Sequence, residues 1–301
     1  MTLAPPTQAH LVCDQHMPAP CRRSLAGGEV VFLSRRCPEK PTANEDSVAL
    51  IPYGEDAAVL VVADGMGGSR AGDQASRIAV EELAMALDRA VEEELPLRTA
   101  ILNGIEQANH AVQALGIGAA TTLAAVEVQN EKGNGGGGIR CTVRPYHVGD
   151  SMILLVGQRG KMKLQTVSHS PVGFAVEAGL LDEQEAMHHE DRNLVSNVLG
   201  AADMRIEIGP ILKMAPYDTL LLATDGLFDN LHVEEIVARI RKGPLHKAGA
   251  ALAEDASARM TTAEEGQPSK PDDLTFLVFR QAAGRPTLPS RSSGDGSRGS
   301  A

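Results

Sequence analysis

Two long amphipathic helices, one directly after the other, restrict most strongly how this chain can fold. Apolar side chains recur at helical spacing over residues 80–91 and again over residues 97–115. Each helix has one apolar face, so the pair is expected to lie on a sheet. Short apolar runs rich in β-branched residues precede and follow the pair. Blocks of strands separated by paired helices predict an α+β fold rather than alternating βαβ units.

Nine strands and a few further helices are predicted along the chain. Residues 233–241 and 247–260 have helical spacing, and Asp182-x-x-Glu185 is a capping pattern before a short helix. The predicted strands are 29–34, 47–51, 57–63, 121–128, 139–148, 152–156, 161–167, 219–224 and 274–279.

The two ends of the chain differ in composition from its middle. Residues 1–28 are rich in Pro, Gln and small residues without periodicity, so we expect disorder there. Residues 284–301 are rich in Gly, Ser, Pro and Arg, which predicts a flexible tail. We therefore expect one domain over residues 29–283, with a flexible glycine-rich loop at 133–138.

Acidic residues stand at the ends of the predicted strands. Two aspartates directly follow a strand, two directly precede one, and one lies in a Gly-Asp-Ser turn between two strands. In an antiparallel sheet the end of one strand lies beside the start of its neighbour, so these carboxylates are expected to converge on one edge. The five residues are Asp46, Asp64, Asp150, Asp225 and Asp272.

Such a cluster needs a cation. Two like charges about 4 Å apart repel by roughly 4 kcal/mol at an effective dielectric constant of 20. Among basic residues, Arg70 and Lys270 adjoin the cluster in sequence. Oxygen ligands favour Mg²⁺ or Mn²⁺ over zinc. Each motif alone, Asp225-Gly226 for instance, is also typical of a plain turn, so the prediction depends on the whole set.

Composition excludes several other classes of function. The formal charge of −11 and the 3% aromatic content argue against a nucleic-acid or anionic-membrane surface. We found no membrane-spanning apolar run and no signal peptide. The four cysteines do not form a C-x-x-C pair, and a zinc knuckle on Cys13, Cys21 and Cys37 would have unusual spacing. Reduced thiols in a cytoplasmic protein are the simpler interpretation.

The order of the motifs resembles the metal-dependent PPM/PP2C family of Ser/Thr protein phosphatases, in its bacterial form. The resemblance covers about residues 29–280, and residues 169–200 resemble that family's flap subdomain. The matching segments are Asn44-Glu45-Asp46, Ala63-Asp64-Gly65-Met66-Gly67-Gly68, Gly118-Ala119-Ala120-Thr121-Thr122-Leu123, Val148-Gly149-Asp150-Ser151, Thr224-Asp225-Gly226-Leu227-Phe228-Asp229 and Asp272-Asp273-Leu274-Thr275.

The resemblance implies a four-layer αββα sandwich with two, or with a weaker third site three, Mg²⁺ or Mn²⁺ ions at one edge. Asp64 would bridge two ions, the Gly65 carbonyl would bind one of them, and Asp225 and Asp272 would hold the other. Glu45 and Asp46 would act directly or through water, and Asp150 would help Asp225 to hold the third. A hydroxide activated at this centre would attack phosphorus directly, with Asp46, Asp64 and Asp225 catalytic.

One departure from the family concerns the substrate phosphate. The family usually has an Arg four residues before its first Glu, where this chain has Pro41. Lys40 and Arg36 are the candidates to bind phosphate instead, with Arg35 a further possibility; a Lys lacks the bidentate fork of Arg. We expect His169, His188 and His189 to structure the flap rather than to bind metal.

The expected partner is a phosphoprotein, the substrate of a Ser/Thr kinase, for a monomeric cytoplasmic enzyme without nucleic-acid or membrane partners. One alternative is a catalytically weak binding or signalling module on the same fold, which Pro41 would explain. Another is a small-molecule phosphatase or a partner-switching regulator, which would share the chemistry.

Overall fold

The computed structural model describes residues 9–66, 71–132, 139–187, 189–192 and 194–282. Two antiparallel sheets pack face to face, and helices cover their outer faces. The predicted α+β class and the four-layer αββα sandwich are therefore confirmed. None of the helices among these residues is both long enough and apolar enough to cross a membrane.

The first sheet holds eight strands, with main order β1-β4-β5-β7-β8-β11; β6 pairs with β5, and β12 pairs with β8. Its strands are β1 (His10–Cys13), β4 (Asp46–Tyr53), β5 (Ala57–Met66), β6 (Ala120–Thr121), β7 (Leu123–Lys132), β8 (Ile139–Val148), β11 (Glu207–Ile208) and β12 (Leu212–Met214).

The second sheet holds six strands in the order β10-β9-β13-β14-β3-β2. These are β2 (Cys21–Leu25), β3 (Gly28–Arg35), β9 (Met152–Val156), β10 (Met162–Gln165), β13 (Thr219–Ala223) and β14 (Leu274–Gln281).

Helices α1 and α2 cover the first sheet, and α6 and α7 cover the second. Three shorter helices lie in the connections. The bounds are α1 (Gly72–Glu92), α2 (Leu97–Ala114), α3 (Pro171–Glu177), α4 (Glu183–Met187), α5 (Asp225–Phe228), α6 (Val233–Ile240) and α7 (Leu245–Thr261).

Burial on both faces explains why the central strands are continuous apolar runs. In β5, Leu60 and Val62 face the second sheet, whereas Val59 and Val61 face α1 and α2. All four side chains are fully buried. A strand with one solvated face would instead alternate apolar and polar residues. The β-branched run is thus the signature of a strand enclosed between a helix layer and a second sheet.

The prediction of disorder over residues 1–28 was wrong for the part that forms β1 and β2. β1 pairs with β4 at the edge of the first sheet, and β2 pairs with β3 at the edge of the second. Both strands are short: β1 has four residues, and β2 (Cys21–Leu25), with two arginines and a serine, has no apolar pattern. Backbone pairing with an existing sheet edge orders them.

Local sequence signals placed most of the other elements within a few residues. The predicted strands 139–148 and 152–156 coincide with β8 and β9. The capping pattern before α4 is confirmed, because Asp182 and Glu185 each accept a hydrogen bond from the other's backbone N–H. The helices α3 and α5 were not predicted. The predicted loop 133–138 and tail 284–301, and residues 1–8, lie outside the described residues.

The α1 layer gives a stability test. Leu83 is fully buried between α1, α2 and the first sheet, so Leu83→Ala should lower the free energy of unfolding by about 2–5 kcal/mol. Met85 on the same helix is 44% exposed, and Met85→Ala should change it by less than about 0.5 kcal/mol. Urea denaturation measures both. Equal losses would contradict the assigned faces of α1.

Candidate metal centre and active site

Acidic residues from both sheets lie at one end of the sandwich, which we call the rim. Asp46 at the start of β4 is the cross-strand partner of Asp64 near the end of β5. Asp46 is almost completely buried. The hydroxyl of Thr224, at the end of β13, donates to Asp46 Oδ2 at 2.9 Å. This hydrogen bond links the first sheet to the second at the rim.

Backbone contacts fix the position of Asp64. Its N–H donates to Thr122 Oγ1 at 3.0 Å. Its carbonyl accepts from the Thr122 N–H and from the Thr121 hydroxyl, each at 2.8 Å. These contacts also divide the predicted strand 121–128 into β6 and β7. Hydrogen bonds with Thr121 and Thr122 therefore hold the backbone of Asp64 at the rim.

The other three predicted aspartates reach the same end through the second sheet. Ala223 of β13 is the partner of both Met152 in β9 and Phe276 in β14. Asp150, Asp225 and Asp272 each lie within four residues of these positions, in the turn before β9, at the start of α5 and before β14. The register of the second sheet therefore brings the backbone of these residues towards the same end of the sandwich.

The rim carboxyl groups perturb one another electrostatically. Burial, and then the charge of Asp273, hold the pKa of Asp46 well above its usual range. Burial and the neighbouring Asp46 do the same to the pKa of Asp64. Burial, followed by Asp225 and Asp229, raises the pKa of Asp150 to about 7. These carboxylates are destabilised as anions, which is the state that a bound cation would stabilise.

The donor set fits a hard divalent cation. Asp150 Oδ1 is a buried atom without a hydrogen-bond partner, so the rim offers at least one orphaned anionic oxygen. All the side chains predicted as ligands supply oxygen atoms, as Mg²⁺ and Mn²⁺ prefer. Gly65 lets the backbone pass close to α1, since a Cβ there would lie 1.9 Å from the Gly72 carbonyl oxygen.

One ammonium group lies among the carboxylates of the second sheet. Lys270 Nζ is 2.7 Å from Asp225 Oδ2, 2.8 Å from Asp229 Oδ2 and 3.1 Å from Asp272 Oδ2. Burial acts to lower the pKa of Lys270, but the charges of these aspartates outweigh it and the pKa is raised. Lys270 therefore stays protonated as a resident cation of the rim.

A second ammonium group fastens the loop that carries Glu45. Lys40 Nζ is 2.6 Å from both Glu45 Oε2 and Asp273 Oδ2. Asp273 is buried and also accepts hydrogen bonds from the backbone N–H groups of Cys37 and Glu45, each at 2.7 Å. Asp273 therefore clamps the 37–45 loop to the start of β14.

Comparison with known proteins agrees with this geometry. A profile of the protein phosphatase 2C family matches residues 35–260. The chain belongs to the protein phosphatase 2C family. The resemblance found in the sequence is thereby confirmed, as is the prediction of a metal-dependent protein phosphatase.

Three proteins illustrate the similarity. Protein phosphatase PhpP of Streptococcus pneumoniae is 30% identical over 206 residues, covering 66% of this chain and 78% of that protein. The serine/threonine phosphatase of S. agalactiae has a TM-score of 0.68 at 27% identity, covering 85% of this chain and 100% of that one. The catalytic domain of the phosphatase PstP, in complex with two manganese ions, has a TM-score of 0.62 at 26% identity, covering 83% and 96% respectively.

The basic residues considered for phosphate differ in availability in this phosphatase. The amine of Lys40 is already held by two carboxylates. The Arg35 guanidinium donates to the carbonyls of Met17 and Pro18 and to Ser257 Oγ, so it has a structural role. Arg36 is exposed and donates a 3.5 Å hydrogen bond to the Thr42 carbonyl. Arg36 is thus the more available of the three.

The flap histidine joins the flap to the turn that carries Asp150. His169 Nδ1 accepts from the Gly149 N–H at 3.1 Å and from Asn197 Nδ2 at 2.9 Å. Its Nε2 is therefore the protonated nitrogen, and it donates to Glu207 Oε2 at 2.8 Å. This geometry agrees with the structural role predicted for His169. His188 and Asn193, and Gly67, Gly68 and Arg70 near the rim, lie outside the described residues.

His169 also belongs to the tightest group of metal-ligand side chains in the described part of the chain. Ligand atoms of His147, His169 and Glu207 lie within 4.8 Å of one another. The two imidazole rings are tilted at 41° to each other, with centroids 4.4 Å apart. Both ring nitrogens of His169 already have protein hydrogen-bond partners, so we interpret the group as a structural packing contact rather than a metal site. Among the described residues, the rim carboxylates do not form a group with ligand atoms this close to one another. They lie around the ammonium groups of Lys40 and Lys270 instead.

A cavity of about 360 Å³ separates the flap from the rest of the phosphatase. Val172 and Val176 of α3 line one side, and Phe228 and Val233 line the other. Asp229, which contacts Lys270 at the rim, also lines it. The cavity therefore opens an apolar space directly beside the acidic rim.

Three polar residues of this site had no role predicted from the sequence. Asp229 is four residues after Asp225, one turn along from it at the end of α5. Asp273 clamps the loop before Glu45, and Asn230 bonds to the backbone of Lys270. The i, i+4 spacing could have indicated Asp229. The other two act across 40 residues or more, and no local pattern signals such contacts.

The close approach at Gly65 is testable. The added methyl of Gly65→Ala would contact the backbone of Gly72 and Glu45, which should cost about 1–3 kcal/mol of unfolding free energy. A Cβ at Gly157 meets its nearest atoms at 3.6 Å, so Gly157→Ala should change it by less than about 0.5 kcal/mol. Urea denaturation of both variants measures the difference. A Gly65→Ala protein as stable as Gly157→Ala would contradict the described contact.

Proposed function

We propose that this phosphatase hydrolyses phosphoserine and phosphothreonine in proteins by direct attack of a hydroxide on phosphorus. The convergence of Asp46, Asp64, Asp150, Asp225 and Asp272 at one rim carries the proposal. The family assignment and the serine/threonine phosphatases of related structure support the substrate class. No cysteine or serine nucleophile is required, since attack is by water.

The reaction at this rim needs cations because both the substrate and the rim are negatively charged. A phosphate monoester is an anion at neutral pH, and the rim carboxyl groups outnumber the ammonium groups of Lys40 and Lys270. We propose that two or three Mg²⁺ or Mn²⁺ ions are held by Glu45, Asp46, Asp64, the Gly65 carbonyl, Asp150, Asp225 and Asp272. Such ions supply a water of lowered pKa and offset negative charge on the phosphoryl oxygens.

The chain's own groups hold this constellation in place. The Thr224 hydroxyl fixes one oxygen of Asp46, and Thr121 and Thr122 fix the backbone of Asp64. His169 holds the backbone N–H of Gly149, next to Asp150. Fixed carboxylates cost little reorganisation during the reaction, which is the main electrostatic requirement of a hydrolytic site.

The cavity beside the flap supports the proposal of a protein substrate. The free cysteines support the proposal that the enzyme acts in a reducing compartment. The cavity beside Asp229 has an apolar lining suited to a side chain near the phosphorylated residue. All four cysteines are free thiols, as expected for an enzyme that acts in the cytoplasm on products of a Ser/Thr kinase.

Removal of the proposed ligands tests the reaction. Asp64→Asn and Asp225→Asn should each lower Mn²⁺-dependent hydrolysis of a phosphothreonine peptide by far more than the roughly 10–100-fold typical of residues behind the ligands. Asp255, which pairs with Arg239 on the helix surface, provides the control Asp255→Asn with normal turnover. A chelator should abolish the wild-type activity.

The same assay decides between enzyme and binding module. Near-normal turnover in both ligand variants would reject the metal assignment. Binding of Mn²⁺ by calorimetry without hydrolysis of any phosphopeptide would instead favour the weak signalling module that Pro41 motivates.

The phosphate contact has its own test. If Arg36 binds the substrate phosphate, Arg36→Gln should raise KM for the peptide by roughly 10-fold or more with a smaller effect on kcat. Pro41→Arg in that background should restore KM, since Arg offers a bidentate fork. Arg22→Gln, in an exposed pair with Glu29, is the control. An unchanged KM in Arg36→Gln would exclude Arg36 as the contact.

A further inference from the structure

We propose that Lys270 is a built-in counter-ion of the rim, which competes with a divalent ion for Asp225 and Asp272. Binding of the ion must displace the ammonium group, so Lys270 sets the metal concentration at which the site assembles. This inference rests on the proposed function and concerns its regulation.

The contacts place the ammonium group on the oxygens that an ion would use. Lys270 Nζ lies 2.7 Å from Asp225 Oδ2 and 3.1 Å from Asp272 Oδ2, and both residues are proposed ligands. Its third contact is Asp229 Oδ2 at 2.8 Å. The ammonium group donates hydrogen bonds to Asp225 and Asp229 and forms an ion pair with Asp272. Mg²⁺ approaches its oxygens to about 2.0–2.1 Å and leaves no room for an amine on the same atoms.

The fold pins the backbone of Lys270. Asn230, two residues after the end of α5, is fully buried. Its Oδ1 accepts from the Lys270 N–H at 2.9 Å, and its Nδ2 donates to the Lys270 carbonyl at 2.8 Å. The same Nδ2 donates to the Gly226 carbonyl, one residue from Asp225. One amide side chain therefore holds the stem of Lys270 and the turn of Asp225 in a fixed relation.

The stem above this anchor can still move. The Lys270 side chain is 18% exposed, and four flexible carbons separate the pinned backbone from the charge. Without an ion, the ammonium group offsets the repulsion among the three aspartates. With an ion, it can turn towards solvent while the backbone stays in place. The two states differ by one displaced cation, so they compete by mass action.

Calorimetric titration of Mn²⁺ into the metal-free protein, with thermal unfolding of the same samples, tests the competition. Lys270→Gln should bind Mn²⁺ with a Kd at least about tenfold lower than wild type. Without metal it should unfold at a lower temperature, and Mn²⁺ should raise that temperature by more than in wild type. Lys270→Arg keeps the charge and should bind Mn²⁺ no more tightly than wild type, since a guanidinium group is harder to displace than an ammonium group.

Lys163 provides the matched control because it is a partly buried lysine paired with Asp218, away from the rim carboxylates. Lys163→Gln should lower thermal stability without changing the Kd for Mn²⁺. An unchanged or higher Kd in Lys270→Gln would overturn the proposal.

The outcomes separate this inference from the proposed function. If wild type and Lys270→Gln bind Mn²⁺ equally and both hydrolyse phosphopeptide, only the role of Lys270 fails. If neither protein binds Mn²⁺, the rim is not a metal site and both proposals fail. If Lys270→Gln binds Mn²⁺ and wild type does not, the result would support a competition strong enough to prevent binding to wild type.

Discussion

Mutual repulsion among buried carboxylates at one end of the sandwich is the constraint on which the rest of the site depends. The fold forces Asp46 opposite Asp64 and brings Asp150, Asp225 and Asp272 to the same end through the second sheet. Burial and neighbouring charge raise the pKa values of Asp46, Asp64, Asp150 and Asp272. Such an arrangement is stable only because the apolar core of the sandwich stabilises the fold and cations offset the charge of the carboxylates.

Polar contacts between distant segments turn this repulsion into a fixed site. Thr224 ties Asp46 to the second sheet, Asp273 ties the Glu45 loop to β14, and Asn230 ties Lys270 to the turn of Asp225. Each contact uses a buried side chain, in surroundings where an unmade hydrogen bond is costly. The strands therefore place the backbone, and a few hydrogen bonds decide where each carboxylate group lies.

The resident lysines give the site two sources of positive charge. Lys40 and Lys270 together contact Glu45, Asp225, Asp229, Asp272 and Asp273. An enzyme that depends on divalent ions must hold its ligand side chains together before the ions bind. The groups that hold them must then leave the ligand oxygens free for the ions. Ammonium groups on flexible stems meet both requirements, whereas a fixed guanidinium fork would be harder to displace.

Local sequence determined the central strands, the helices α1, α2, α4, α6 and α7, and the residue types of the centre. Runs such as 57–63 are apolar because both faces of the strand are covered, and the sequence places the aspartates at the ends of the strands. Sequence could not predict β1 and β2, because backbone pairing with sheet edges orders them, nor the roles of Asp229, Asn230 and Asp273. It also could not show that Lys40 is engaged by carboxylates and that Arg36 is exposed. Those features depend on contacts between residues far apart in the chain, which form only once the two sheets have packed.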